Sequence, residues 1–136
     1  PDLYYKGVVE KSFSAARYWG MGLNTLQKSG RIIWAVLTQA DRKTVGYNGN
    51  DDADLTHLLS SISESDIAVL FIEQKVNRVK VSWRAQPGLD VSHIAMQFGG
   101  GGHKAAAGAD IEGTLEEVKE KVLSATETYL KSVYPA

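Results

Sequence analysis

Two apolar runs constrain this chain more than any other feature. "IIWAVLT" (Ile32–Thr38) and "IAVLFIE" (Ile67–Glu73) are unbroken and of strand length. Successive side chains of a strand point to opposite faces, so a strand without interior polar residues has two faces to hide. Such strands lie inside a sheet with helices on both sides. The flanking segments offer those helices. Residues 9–28 read as a helix with Phe13, Ala16, Leu23 and Leu26 near one face and Gly30 placed to end it. Leu55, Leu58, Leu59 and Ile62 follow the i, i+3, i+4, i+7 spacing of a short amphipathic helix.

Residues 77–86 carry a different pattern. Asn77, Val79, Val81, Trp83 and Ala85 alternate with Arg78, Lys80, Ser82, Arg84 and Gln86, which predicts a half-exposed strand forming a hairpin with the run before it. Val91, Ile94, Ala95 and Phe98 give a short helix, and "AGADIE" reads as a short edge strand. Thr114 and Glu117 form a capping box that opens a last helix. Its stripe of Leu115, Val118, Val122, Ala125 and Tyr129 faces the core, and Glu117 is placed to pair with Lys121. The fold class is therefore α/β (α+β): a single domain with a mixed sheet of about four to five strands and helices packed on it.

The chain has 136 residues and no cysteine, which excludes a disulfide framework and Cys-ligated metal centres. A net charge of −1 argues against a general nucleic-acid coat but leaves a local site for a small anion open. No apolar run approaches ~18 residues and no signal peptide is present, so the expected location is cytoplasmic, with no membrane partner. The chain starts at Pro1 without an initiator Met, and is read as an excerpt of something longer.

Most catalytic and metal patterns fail. His57, His93 and His103 lack the spacing of a helical metal motif. The acidic run Asn50–Asp54 is not a calcium loop, since the glycine such a loop needs is replaced by His57. Asp52 and Asp54 read instead as capping residues at a helix start. His57 and His93 read as surface residues. There is no G-x-S-x-G elbow and no P-loop. "GGGHKA" fits the permissive dinucleotide fingerprint, but it follows a helix-like segment where a strand is required.

What remains is "FGGGGHKAAAG" (Phe98–Gly108), with four consecutive glycines, Gly99–Gly102, followed by His103 and Lys104. Two readings stand side by side. Glycines adopting positive φ can turn their N–H groups onto one anion, with the start of an alanine-rich helix, His103 and Lys104 adding donors. Alternatively the run is a hinge or a tight packing turn. Arg84, alone on an open strand face, is likewise either solvated or a ligand contact.

"VKVSWRAQ" (Val79–Gln86) and "LDVSHIAMQFGGGGHKAAAG" (Leu89–Gly108) resemble the C-terminal DHH-associated domain of DHH-family phosphoesterases, above all bacterial enzymes that degrade very short RNA and dephosphorylate adenosine 3′,5′-bisphosphate. The similarity in element order covers roughly residues 30–131. The resemblance implies a substrate-binding domain over residues 30–136 and, over residues 1–29, a connector helix from an N-terminal catalytic DHH domain. That domain, the expected partner in cis, holds two manganese ions in such enzymes. No Asp-His-His triplet occurs here, so the fragment alone is expected to carry no catalytic residue, no cofactor and no activity. The ligands implied are short single-stranded oligonucleotides or nucleotides bearing phosphate groups. Arg84, Gly99, Gly100, Gly101, Gly102, His103 and Lys104 are the implied binding residues. Ala85 departs from the family, which often has Ser there. The same domain occurs in cyclic-dinucleotide phosphodiesterases and single-strand exonucleases. The alanyl-tRNA synthetase version carries Arg-Pro after its glycines in place of His-Lys. A stand-alone nucleic-acid- or nucleotide-binding module is the remaining alternative.

Overall fold

The structure, a computed structural model, describes residues 12–49, 51–62, 64–75 and 77–135. In chain order its elements are α1 (Phe13–Leu23), β1 (Gln27–Ser29), β2 (Ile32–Leu37), α2 (Gln39–Val45), α3 (Leu55–Leu59), β3 (Ile67–Glu73), β4 (Arg78–Ala85), α4 (Val91–Met96), β5 (Gly101–Gly102), β6 (Ala106–Glu112) and α5 (Leu115–Val133). The strands form one mixed sheet of order β1-β2-β3-β4-β6-β5, in which only β2 and β3 run parallel. It has six strands where the sequence suggested four to five.

The two apolar runs are the central strands β2 and β3, and β3 is buried along nearly its whole length. Their side chains feed two separate cores. On one face Ile32, Ile67, Val69 and Phe71 meet Val79, Val81, Trp83 and the inward sides of α4 and α5. On the other, Ile33, Ala35, Leu37, Ala68, Leu70 and Ile72 meet Ala15, Tyr18, Leu55 and Leu59 from α1 and α3. Trp83 is fully buried, and its indole N–H donates to Thr126 Oγ1 at 3.1 Å, which satisfies the polar edge that burial would otherwise strand. The Thr114–Glu117 capping box is present. The carboxylate of Glu117 accepts from the Thr114 N–H at 2.9 Å rather than pairing directly with Lys121.

Several sequence expectations are corrected. The first described helix turns a different face inward: Ala15, Tyr18 and Gly22 are buried, while Phe13 is 81% exposed and Ala16 and Leu23 are also exposed. Gly22 decides this, because a Cβ there would stand 2.6 Å from Leu55 Cδ2, so α1 needs the glycine edge to approach α3. Residues 9–11 lie outside the described residues. Gly30 does not end the helix. With φ +58° it turns the β1–β2 hairpin, a left-handed position suited to glycine. Thr38 is not the last residue of a strand but the N-cap of α2, in a capping box with Asp41. That helix escapes a hydrophobic-period reading because it buries only Val45. "AGADIE" lies within β6, which pairs with β4 from Ala106 to Glu112 and carries β5 on its other side at Ala107 and Gly108.

Candidate functional site

The same alternation that buries Val79, Val81 and Trp83 sends Arg78, Lys80, Ser82 and Arg84 to the opposite face of β4. Register carries this face across the sheet: Arg84 pairs with Ala106, Ser82 with Gly108 and Lys80 with Asp110, and Gly108 in turn pairs with Gly101. Of the helices on this side of the sheet, α3 reaches β4 but leaves the rest of the polar face open. The result is a depression of about 340 Å³ whose sides and floor include Arg84, Ser82, Ala106, Gly108, Gly101 and Gly102, with Asp52 and Thr56 contributing from α3 and the turn before it. Its floor is low because the residues between Ser82 and the sheet edge, Gly108 and Gly101, carry no side chain. A neighbouring depression continues past Gly108 towards Lys80, Gly100 and Asp110.

The glycine run is explained by packing. No helix begins after it, since His103–Ala105 form the turn of a β5–β6 hairpin and the alanines enter β6. Strand pairing overrides the helical preference of alanine here. Gly99, with φ +80°, ends α4, and Gly100 donates its N–H to Ala95 O at 2.9 Å. A Cβ at Gly100 would lie 2.1 Å from Gly108 O, and one at Gly102 would lie 2.6 Å from Ala106 O. Gly101 has nothing within 4 Å of that position and faces the depression; Gly99 also has open space, but its φ of +80° suits glycine. The expected anion nest loses its helix start and three donors, since the N–H groups of Gly99, Gly100 and His103 donate to Met96, Ala95 and Ala106 carbonyls.

Of the residues singled out in the sequence, the structure brings together Arg84, Gly101 and Gly102. Gly100 lines the adjoining depression. Gly99, His103 and Lys104 are exposed and line neither. The Arg84 side chain is half-buried and makes no hydrogen bond or ion pair among the described residues. Desolvating a guanidinium without an internal partner is unfavourable, so such a group is poised to take an anion. Arg78, on the same strand face, is instead committed to Asp110 at 3.6 Å.

Asp52, Thr56, Ser82 and Gly108 were not expected at the site. Ser82 shares Arg84's face in the alternating pattern, and Gly108 closes the glycine–alanine segment, so both left a trace in the sequence. Asp52 and Thr56 come from a distant segment with no local signal. Asp52 acts as a cap, its Oδ1 accepting from Asp54 N–H at 2.9 Å and its Oδ2 from Thr56 N–H at 3.1 Å and from the Thr56 hydroxyl. Asp54, which occupies the N-cap position, makes no side-chain cap and has φ +71°; Ala53 before it has φ +51°. Two consecutive side-chain-bearing residues in the left-handed region cost on the order of 1–3 kcal/mol each. The turn is held by the Trp19 indole N–H, which donates to Ala53 O at 2.6 Å. Beside it, the Asp51 carboxyl is held below its ordinary range, first by the hydrogen bond from Tyr47 and, among lesser causes, by the Lys80 charge.

The described residues do not fit a manganese site. No group of three or more His, Cys, Asp or Glu side chains that could hold a metal comes together among them. His57, His93 and His103 stand on α3, α4 and the β5–β6 turn. A second cavity, of about 200 Å³, lies between the β1–β2 turn and the end of α5, but its Arg31 is already engaged by Asp66 at 2.8 Å and by the Tyr134 ring at 4.1 Å. Among the described residues no helix is long and apolar enough to cross a membrane.

A family model described as the DHHA1 domain matches residues 44–132. The chain is 34% identical over 88 residues to the bifunctional oligoribonuclease and PAP phosphatase NrnA of Mycoplasma genitalium, covering 65% of this chain and 27% of that protein. It is 38% identical over 76 residues to the protein of the same description from Thermus thermophilus, covering 55% and 23%. The chain thus spans about a quarter of the length of these curated relatives. The crystal structure of an exopolyphosphatase-related protein from Bacteroides fragilis superposes with a TM-score of 0.81 at 23% identity, over 98% of this chain and 39% of that one, so the fold is shared.

Proposed function

The chain belongs to the DHHA1 domain family, and from that premise we propose that it is the substrate-binding domain of a phosphoesterase acting on short oligoribonucleotides and adenosine 3′,5′-bisphosphate. One observation carries the reading: a half-buried arginine with no partner among the described residues, set in a depression whose floor is nearly free of side chains. Arg84 grips a phosphate, for which its planar fork is suited. Gly101 and Gly108 leave room for the ligand to lie close to the backbone. Lys80, beyond Ser82 on the same strand face, supports a second phosphate. His103 and Lys104, at the hairpin tip beyond Gly102, meet the ligand from the other side once the preceding domain has closed on it.

Chemistry belongs to that preceding domain, to which residues 1–29 connect, and any manganese is held there. This chain contributes binding and orientation, and works in the cytoplasm. The relatives' names, oligoribonuclease and PAP phosphatase, agree with a small phosphate-bearing nucleotide as ligand.

The test is a titration of the chain with adenosine 3′,5′-bisphosphate, followed by backbone amide signals. Half of an enclosing cleft binds weakly, with Kd on the order of millimolar. Shifts should appear first at Ser82–Arg84, Gly101–Gly102 and Ala106–Gly108. Incubation with manganese and a short oligoribonucleotide should give no product. Shifts confined to the β1–β2 turn and the end of α5, or turnover by the repurified chain, would overturn the reading.

A further inference from the structure

We propose that the Asp52 carboxylate accepts a hydrogen bond from a ribose hydroxyl of the bound nucleotide and so makes the depression select ribonucleotides over deoxyribonucleotides. The inference rests on the functional reading above and adds the sugar to it. Asp52 and Arg84 line the same depression with opposite charges. A ligand made only of phosphates would gain at Arg84 and be repelled at Asp52. A ligand with one anionic end and neutral donors beside it satisfies both, and in a nucleotide the donors closest to the phosphate are the ribose hydroxyls.

The carboxylate is fixed and still has capacity. An ionised carboxylate offers about four acceptor positions. Asp54 N–H, Thr56 N–H and the Thr56 hydroxyl occupy three of them. Thr56 is itself only 3% exposed, so it locks Asp52 rather than meeting ligand. Capping a helix requires none of the left-handed backbone at Ala53 and Asp54, because ordinary caps are extended. Of the two aspartates, Asp52 and not Asp54 lines the depression. The floor below, Ala106, Gly108 and Gly101, has only one methyl group among three residues, so a sugar ring can rest on it.

Adenosine 3′,5′-bisphosphate and its 2′-deoxy analogue are titrated against wild type, Asp52→Asn and Arg84→Ala, with amide signals as the readout. A hydrogen bond to a charged group should favour the ribonucleotide about tenfold in wild type. Asp52→Asn should close that gap to about twofold while leaving affinity for the deoxy form unchanged or improved, because a negative charge near the phosphate has gone. Should Asp52→Asn unfold, Asp52→Ser, which keeps a capping oxygen, is read in the same way. Equal wild-type affinities for the two sugars, with Arg84→Ala weakening both, overturn this inference and leave the phosphate reading intact. A ribose preference that survives in Asp52→Asn overturns it too. If Arg84→Ala weakens neither ligand, the functional reading falls and this inference with it.

Discussion

The two halves of the sheet differ in how their strands are patterned and covered. In β2 and β3 both faces are covered: Ile67, Val69 and Phe71 pack towards α4 and α5, while Ala68, Leu70 and Ile72 pack towards α1 and α3. In β4 and β6 one face is covered by the same α4 and α5, while α3 reaches only part of the other. The other face presents Arg84, Ser82 and Lys80 beside Ala106, Gly108 and Asp110. Covering both faces gives a strand that carries the fold and nothing else. Leaving one face bare gives a strand whose neighbouring residues hold opposite tasks, Trp83 in the core and Arg84 in the depression. The candidate site lies where α3 stops short of covering the sheet.

The largest effect should come from the covered side of that strand. Trp83→Ala removes a fully buried ring stacked on Phe98 and bonded to Thr126, and should cost about 3–5 kcal/mol in urea unfolding. A loss below about 1 kcal/mol would mean that the covered face does not hold the half-sheet together. Arg84→Ala, one residue on, should stay within about 0.5 kcal/mol of wild type.

The glycines sharpen the comparison, since neighbours in one run face different surroundings. Gly100→Ala drives a Cβ into Gly108 O and should cost about 1–3 kcal/mol. Gly101→Ala has open space and should leave stability unchanged, or higher by about 0.5 kcal/mol. Similar melting temperatures for the two variants would contradict the packing account of the run.

A smaller effect should appear in the core beneath α1. Tyr18 is fully buried, and its hydroxyl has no hydrogen-bond partner among the described residues. Tyr18→Phe should therefore stabilise the chain by about 1 kcal/mol at neutral pH. Burial also pushes this phenol from 10.0 up to about 12, against the opposing pull of Arg42. The unfolded chain ionises first, so the stability gained by keeping the phenol neutral is full below pH 10 and is lost as pH rises through about 12. Tyr18→Phe should flatten the decline in stability across that window. Tyr47, pushed up by burial and then by its bond to Asp51, keeps part of the decline in place. Identical alkaline profiles for wild type and variant would place the loss elsewhere.

How far the sequence revealed this follows from the same contrast. β2, β3 and β4 were legible because strand periodicity survives burial on two faces and on one. Arg84 and Ser82 were placed on the correct face by alternation alone. The α1 face was not, because it buries a tyrosine and a glycine where periodicity favours Phe13 and Leu23. Helical preference misread Ala105–Ala107, where pairing with β4 and the close approach of Gly102 decide the conformation. Asp52 and Thr56 reach the depression only through the tertiary fold, across about 30 residues of chain from Arg84.

If the open half of the sheet binds phosphate through Arg84, as proposed, removing that one side chain should abolish most of the binding. Wild type and Arg84→Ala are titrated with adenosine 3′,5′-bisphosphate under identical conditions, with thermal melts alongside. Loss of a hydrogen bond to a charged group costs about 1.5–3 kcal/mol, so affinity should fall roughly 10- to 150-fold. The melting temperature should hold, and the wild-type shifts at Ser82, Gly101 and Gly108 should disappear. Unchanged affinity in Arg84→Ala, or a loss that comes with a collapsed melting temperature, would contradict the account.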